Sequence, residues 1–175
     1  MITTITRYGL AAGFIIGSIL FGTTVGFHDD IPNPVVGMAI GYAGMLLAFS
    51  MIVIAIRRHR DGVLGGVIGF WPALGLGLGI SLIATVFYVL AWEAALAVTG
   101  MDFGAEYAGM MVAEAAKSGD AAAIAKAKAA AAQFAHDYAQ PLWRMGVTAT
   151  EILPVGLLVS LVAAGWLSRR RTATA

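Results

Sequence analysis

The sequence predicts an all-α protein, an integral membrane four-helix bundle, and three observations predict it. Four apolar stretches are each long enough to cross about 30 Å of hydrocarbon, which takes about 20 helical residues. Of the 175 residues, 59% are hydrophobic and 12% charged, and the mean hydropathy is +0.83; a soluble domain carries about 25% charged residues. Small residues recur four apart in every stretch, the spacing that lets membrane helices approach closely. These features exclude a disordered chain and an ordinary soluble enzyme. A cysteine count of 0 excludes a disulfide scaffold, a thiolate zinc site and an iron–sulfur cluster. A net charge of +1 gives no reason to expect nucleic acid. The partner that the composition implies is the lipid bilayer, and the chain reads as a single membrane domain over 1–175.

The first span is expected over about 8–27. It holds no charge, and only Arg7 precedes it. Its apolar run exceeds the 7–15 residues of a signal peptide, so it is read as a retained helix. The second span, about 34–56, follows the turn His28-Asp29-Asp30-Ile31-Pro32-Asn33-Pro34 and ends at Arg57-Arg58-His59-Arg60. The third, about 72–99, carries Glu93. The fourth, about 142–167, carries Arg144 and Glu151 and closes on Arg169, Arg170 and Arg171.

Residues 102–139 between the last two spans are alanine-rich but patterned, which predicts a helical hairpin outside the membrane rather than a loop. Phe103, Tyr107, Met110 and Met111 share one helical face. Ile124, Ala127, Ala131, Phe134 and Tyr138 share another. Gly119 between them suits a left-handed helix end, and Asp120 suits the next N-cap.

The positive-inside rule gives the orientation. With four spans, Arg7, Arg57, Arg58, Arg60, Arg169, Arg170 and Arg171 fall on one side. Lys117, Lys126, Lys128 and Arg144 fall on the other, with nearly all the acids. Both termini are therefore expected in the cytoplasm and the hairpin outside.

Packing seams are expected at Gly13 and Gly17, Gly37 and Gly41, Gly75 and Gly79, and Gly156 with Ser160. They serve the bundle's own helices, or a second copy or membrane protein partner.

Several motifs recur in a recognisable order. Arg60-Asp61-Gly62 leads into Gly65-Gly66-Val67-Ile68-Gly69-Phe70. A Gly-rich third span ends in Tyr88, Trp92 and Glu93. Asp102-Phe103 and Tyr107-Ala108 follow, and Glu151-Ile152-Leu153-Pro154-Val155-Gly156-Leu157 lies in the last span. Over about residues 7–168 this order resembles the bacterial four-span family known as domain of unknown function 4199. The resemblance implies a bacterial inner-membrane protein of four helices. It implies no activity and no catalytic residue.

Ionisable groups inside spans are costly and mark candidate sites. Glu93 and Glu151 are expected in the outer half of the membrane, in nearly one layer, with heights that differ by roughly 6 Å at 1.5 Å per residue. Bland readings stand beside the functional one: Glu93 as an interfacial carboxylate, wetted or bonded to a helix end, and Glu151 as a packing residue held by a hydroxyl or an indole N–H. Pro154 frees the Thr150 carbonyl near Glu151, a pairing of features found at cation sites of transporters. Arg144, two turns above Glu151, is expected to snorkel outward, with a reach down to one of the acids as the alternative. The His28-Asp29-Asp30 turn reads as solvated, and no metal site or cofactor is expected. With no nucleophile–base set or phosphate loop in the sequence, the chain is not expected to be an enzyme. The leading expectation is a structural or accessory membrane protein acting through its helices or its hairpin. The alternative is a small proton- or cation-coupled carrier using Glu93 and Glu151.

Overall fold

A computed structural model describes residues 1–27 and 34–168. The chain forms six helices: α1 Ile2–Gly26, α2 Pro34–Gly62, α3 Phe70–Thr99, α4 Phe103–Ala116, α5 Ala121–Tyr138 and α6 Pro141–Leu167. No strand occurs among the described residues. Helices α1, α2, α3 and α6 are long and apolar enough to cross a membrane. At 25 to 30 residues they measure roughly 38–45 Å, more than the hydrocarbon core requires. The excess lies at the ends. Helix α1 starts six residues before the apolar run, and α2 continues through the arginines to Gly62. An apolar count sees only the buried length of a helix. Cationic side chains in the last turn favour its continuation, because they face the negative end of the helix dipole.

The four long helices run alternately up and down. α3 is central and touches α1, α2 and α6; α2 also packs on α1 and α6. Phe49, Ile52 and Ile56 from α2, Ile16 from α1, Leu76 and Ile80 from α3, and Ile152 from α6 form the fully buried core. α6 continues through Pro154 to Leu167.

Glycine sets how closely these helices lie. On the α1–α3 seam, a Cβ at Gly9 would come within 2.8 Å of Ile83, and one at Gly13 within 2.7 Å of Phe87; Gly17 lies 3.4 Å from the Phe87 carbonyl by the same measure. Gly79 faces Ile5 at 2.8 Å. On the α3–α6 seam, Gly77 meets Ser160 at 2.6 Å and Gly156 meets Ser81 at 2.7 Å. On α2 the close approach is at Gly44, 3.1 Å from Ile19. Among the described residues, Gly37 and Gly41 face open space, and Gly75 reaches only the tip of Met1 at 4.0 Å. The second span's expected seam thus lies one turn further along the helix, and the third span's central seam glycine is Gly77.

α4 and α5 form the expected hairpin at the end of the bundle opposite the first residues of α1. Asp102 caps α4 by accepting from the Ala105 amide at 3.0 Å, and Asp120 caps α5 by accepting from the Ala122 amide at 2.9 Å. Gly119 between them has φ +68°, the left-handed turn that its place in the sequence predicts.

Candidate functional site: a polar cluster under the hairpin

The hairpin joins the bundle through aromatic rings. Trp92 of α3 meets Phe103 of α4 edge-on, with centroids 5.2 Å apart. Tyr107, Phe134, Tyr138 and Trp143 continue the stack from α4 through α5 to the start of α6. Such pairs contribute about 0.5–1.5 kcal/mol each beyond their buried area. They fix the height of Tyr138, whose hydroxyl accepts from the Trp92 indole N–H at 2.8 Å. Burial pushes the Tyr138 phenol above its usual pKa; the Trp92 bond pulls against this, and the nearby Glu151 carboxylate adds to it.

Under this lid lie the three intramembrane polar residues named from the sequence. Arg144 does not snorkel outward. It turns across to α3, where Nε donates to Glu93 Oε1 at 2.7 Å and Nη2 donates to Oε2. The remaining Nη1 donates to the Tyr138 carbonyl at 3.5 Å, and the guanidinium lies 6.0 Å from the Tyr138 ring centroid. The physical reason is competition. A two-pronged carboxylate contact, a carbonyl and a ring together offer more than an open interface does. Glu93 is correspondingly a fixed ion-pair partner and not a wetted carboxylate.

Glu151 is separate. Its Oε2 accepts from the Tyr88 hydroxyl at 3.1 Å, while the residue as a whole lies exposed on α6. The two acids therefore do not share a site. Tyr88 is five residues before Glu93 on α3, and Glu151 seven after Arg144 on α6, which separates the two levels by about 8–10 Å. Below Tyr88 the core holds buried hydroxyls. Thr85 donates to the Ser81 carbonyl at 2.8 Å, Ser81 to that of Gly77 at 3.0 Å and Ser160 to that of Gly156 at 2.6 Å. The Ser81 and Ser160 hydroxyl oxygens lie 3.4 Å apart across the seam.

Tyr88, Trp92 and Tyr138 are the partners that sequence reasoning placed only at the end of the third span or on the hairpin stripe. Their shared feature was a polar tip on a ring near an acid, but which tip meets which acid depends on helix rotation. Buried His59, 3.2 Å from the Thr4 hydroxyl, had no signal within its run of arginines. Among the described residues no three His, Cys, Asp or Glu side chains stand together as metal ligands. The His28-Asp29-Asp30 turn and the arginines after Ser168 lie outside the described residues. Two open grooves lie away from the acids. One of about 550 Å³ runs along the hairpin past Tyr107, Met110, Met111 and Ala127. The other, about 350 Å³, runs between α1 and α3 past Phe14, Phe21 and Phe87.

Residues 7–169 match the family described as Protein of unknown function (DUF4199). The chain belongs to this family. The DUF4199 match covers α2 to α6 entirely and most of α1, so the ion pair, the Tyr88–Glu151 contact and the hairpin all fall within it. No curated protein and no solved structure matches the chain.

Proposed function

We propose that this DUF4199 protein is a non-enzymatic structural or accessory protein of a bacterial inner membrane, acting through contacts of its helices or its hairpin. The observation that carries the reading is the closed pair of Glu93 and Arg144. Glu93, one of the two acids that a carrier would use to hold and release an ion, is engaged by Arg144, and the pair locks α3 to α6 beneath the hairpin. The bundle would sit with both termini in the cytoplasm. The end of the bundle holding Arg7, Arg57, Arg58 and Arg60 is basic, and the hairpin end holds Asp102, Glu106, Glu114, Asp120 and Asp137.

One observation favours the alternative, a small proton- or cation-coupled carrier. Glu151 is exposed on a membrane-spanning helix, where its carboxylate accepts from the Tyr88 hydroxyl, and such a carboxylate is a functional candidate by default. Reconstitution separates the two. The protein in vesicles loaded with a pH-sensitive dye is expected to give no flux above protein-free vesicles under an imposed proton or sodium gradient. Flux that disappears in Glu151→Gln would establish the carrier instead.

A further inference from the structure

The basic end of the bundle carries a second arrangement, remote from the polar cluster. The last turns of α2 lie against the end of α6. The Arg57 guanidinium sits 4.8 Å from the centroid of the Trp166 ring, and Arg60 Nη1 donates to the Leu167 carbonyl at 3.4 Å. Arg58 is exposed beside them. Among the described residues the acid at this corner is Asp61, which accepts from Arg60 Nε and Nη2 at 2.7 and 3.2 Å. It thereby engages Arg60 and leaves Arg57 and Arg58 as the outward-facing cations. The chain continues from Ser168 with three more arginines.

An independent feature lies at the same end. The turn from α2 to α3 is apolar and exposed: Val63 is 66%, Leu64 44%, Val67 55% and Trp71 76% accessible. Gly65 and Gly66, at φ +67° and +96°, let the chain reverse there, and the Gly66 amide closes onto the Arg60 carbonyl at 2.8 Å. Apolar side chains projecting from a turn beyond the membrane helices are unfavourable in water and favourable in the interfacial headgroup layer. Trp71 and Trp166 mark the headgroup level, where indole rings prefer to lie. The arginines are thus held at phosphate height, and a guanidinium matches a phosphate with two parallel N–H donors.

We propose that this corner binds the phosphate of an acidic phospholipid headgroup, with Arg57 and Arg58 as its ligands and the 63–67 turn lying outward of them in the headgroup layer. The stacked Trp166 ring orients Arg57 for the contact. The negative charge of the lipid selects it over a zwitterionic one, whose choline would be repelled by the same arginines.

The test titrates the purified full chain in mild detergent with dioleoylphosphatidylglycerol, dioleoylphosphatidylcholine and inorganic phosphate, reading bound lipid by native mass spectrometry. Each arginine near a headgroup accounts for about five-fold in binding, so the acidic lipid should bind about 30-fold more tightly than phosphatidylcholine. Arg57→Gln with Arg58→Gln should abolish that preference. Arg58→Gln alone, an exposed position that leaves the packing intact, should lower it about five-fold. Equal binding of the two lipids, or an unchanged preference in Arg58→Gln, would overturn the site. Displacement of the acidic lipid by millimolar inorganic phosphate would overturn its assignment to a lipid.

Discussion

Replacing Gly77 with alanine adds one methyl at the closest point of the α3–α6 seam. That methyl would stand 2.6 Å from Ser160 Oγ, 2.7 Å from its Cβ and 3.1 Å from its Cα. Rotating the Ser160 side chain relieves the first contact only. The others belong to the backbone and its first carbon, so the two helices must separate by several tenths of an ångström. Such overpacking costs about 1–3 kcal/mol, and the backbone contact places this site in the upper half of that range. Alanine's better helix propensity returns up to about 1 kcal/mol. The net loss is about 1–2 kcal/mol, a fall of about 2–8 °C in melting temperature for a domain of this size. Gly41→Ala is the control. Its Cβ meets nothing within 4 Å, so only the propensity gain remains and the melting temperature should hold or rise. Thermal unfolding in detergent, followed by tryptophan fluorescence, reads both. A Gly77→Ala protein that melts at or above the parent, or a Gly41→Ala protein that falls as far, would refute the packing argument.

A reporter fused after Arg171 should read as cytoplasmic and one inserted at Gly119 as external; the opposite result at either position reverses the bundle in the membrane. Tyr138→Phe removes the acceptor of the Trp92 N–H, costing about 1 kcal/mol at neutral pH. Because the folded state raises the Tyr138 pKa from 10.0, its contribution is fully present below pH 10 and is lost as pH rises further. The melting temperature should therefore fall less steeply above pH 10 in Tyr138→Phe than in the parent, and parallel curves would count against a buried neutral phenol.

The helices and the hairpin were legible because their signals are one-dimensional. An apolar run, an N-capping aspartate and a glycine between two stripes each act within a few residues. Gly119 and Asp120 stand where their types predict. What depends on rotation was less legible. Four-residue spacing shows that Gly75 and Gly79 share a face, but not which neighbour that face meets. Gly79 reaches Ile5, while Gly75, one turn away, finds only a methionine tip. A usable signal was present in the pair Gly77 and Ser81, matched by Gly156 and Ser160: two small-residue faces of the same spacing, each offering a hydroxyl. The polar cluster was half legible. Depth along each helix brought Glu93, Glu151 and Arg144 forward. Arg144's choice of Glu93 over open interface depends on Tyr138, and the hairpin delivers that residue from a separate helix.

In this reading the charges at the hairpin end form a structural lock between α3 and α6. A double-mutant cycle on Glu93→Gln and Arg144→Gln, measured as unfolding stability in detergent, tests it most directly. The two side chains are 20% and 19% exposed, between the surface limit of about 0.2–1 kcal/mol and the loss of about 3–5 kcal/mol on breaking a buried pair. With its two-pronged geometry, the pair should show a coupling of about 1.5–3 kcal/mol, and the double variant should be little worse than either single one. Additive losses, or single variants as stable as the parent, would contradict the lock.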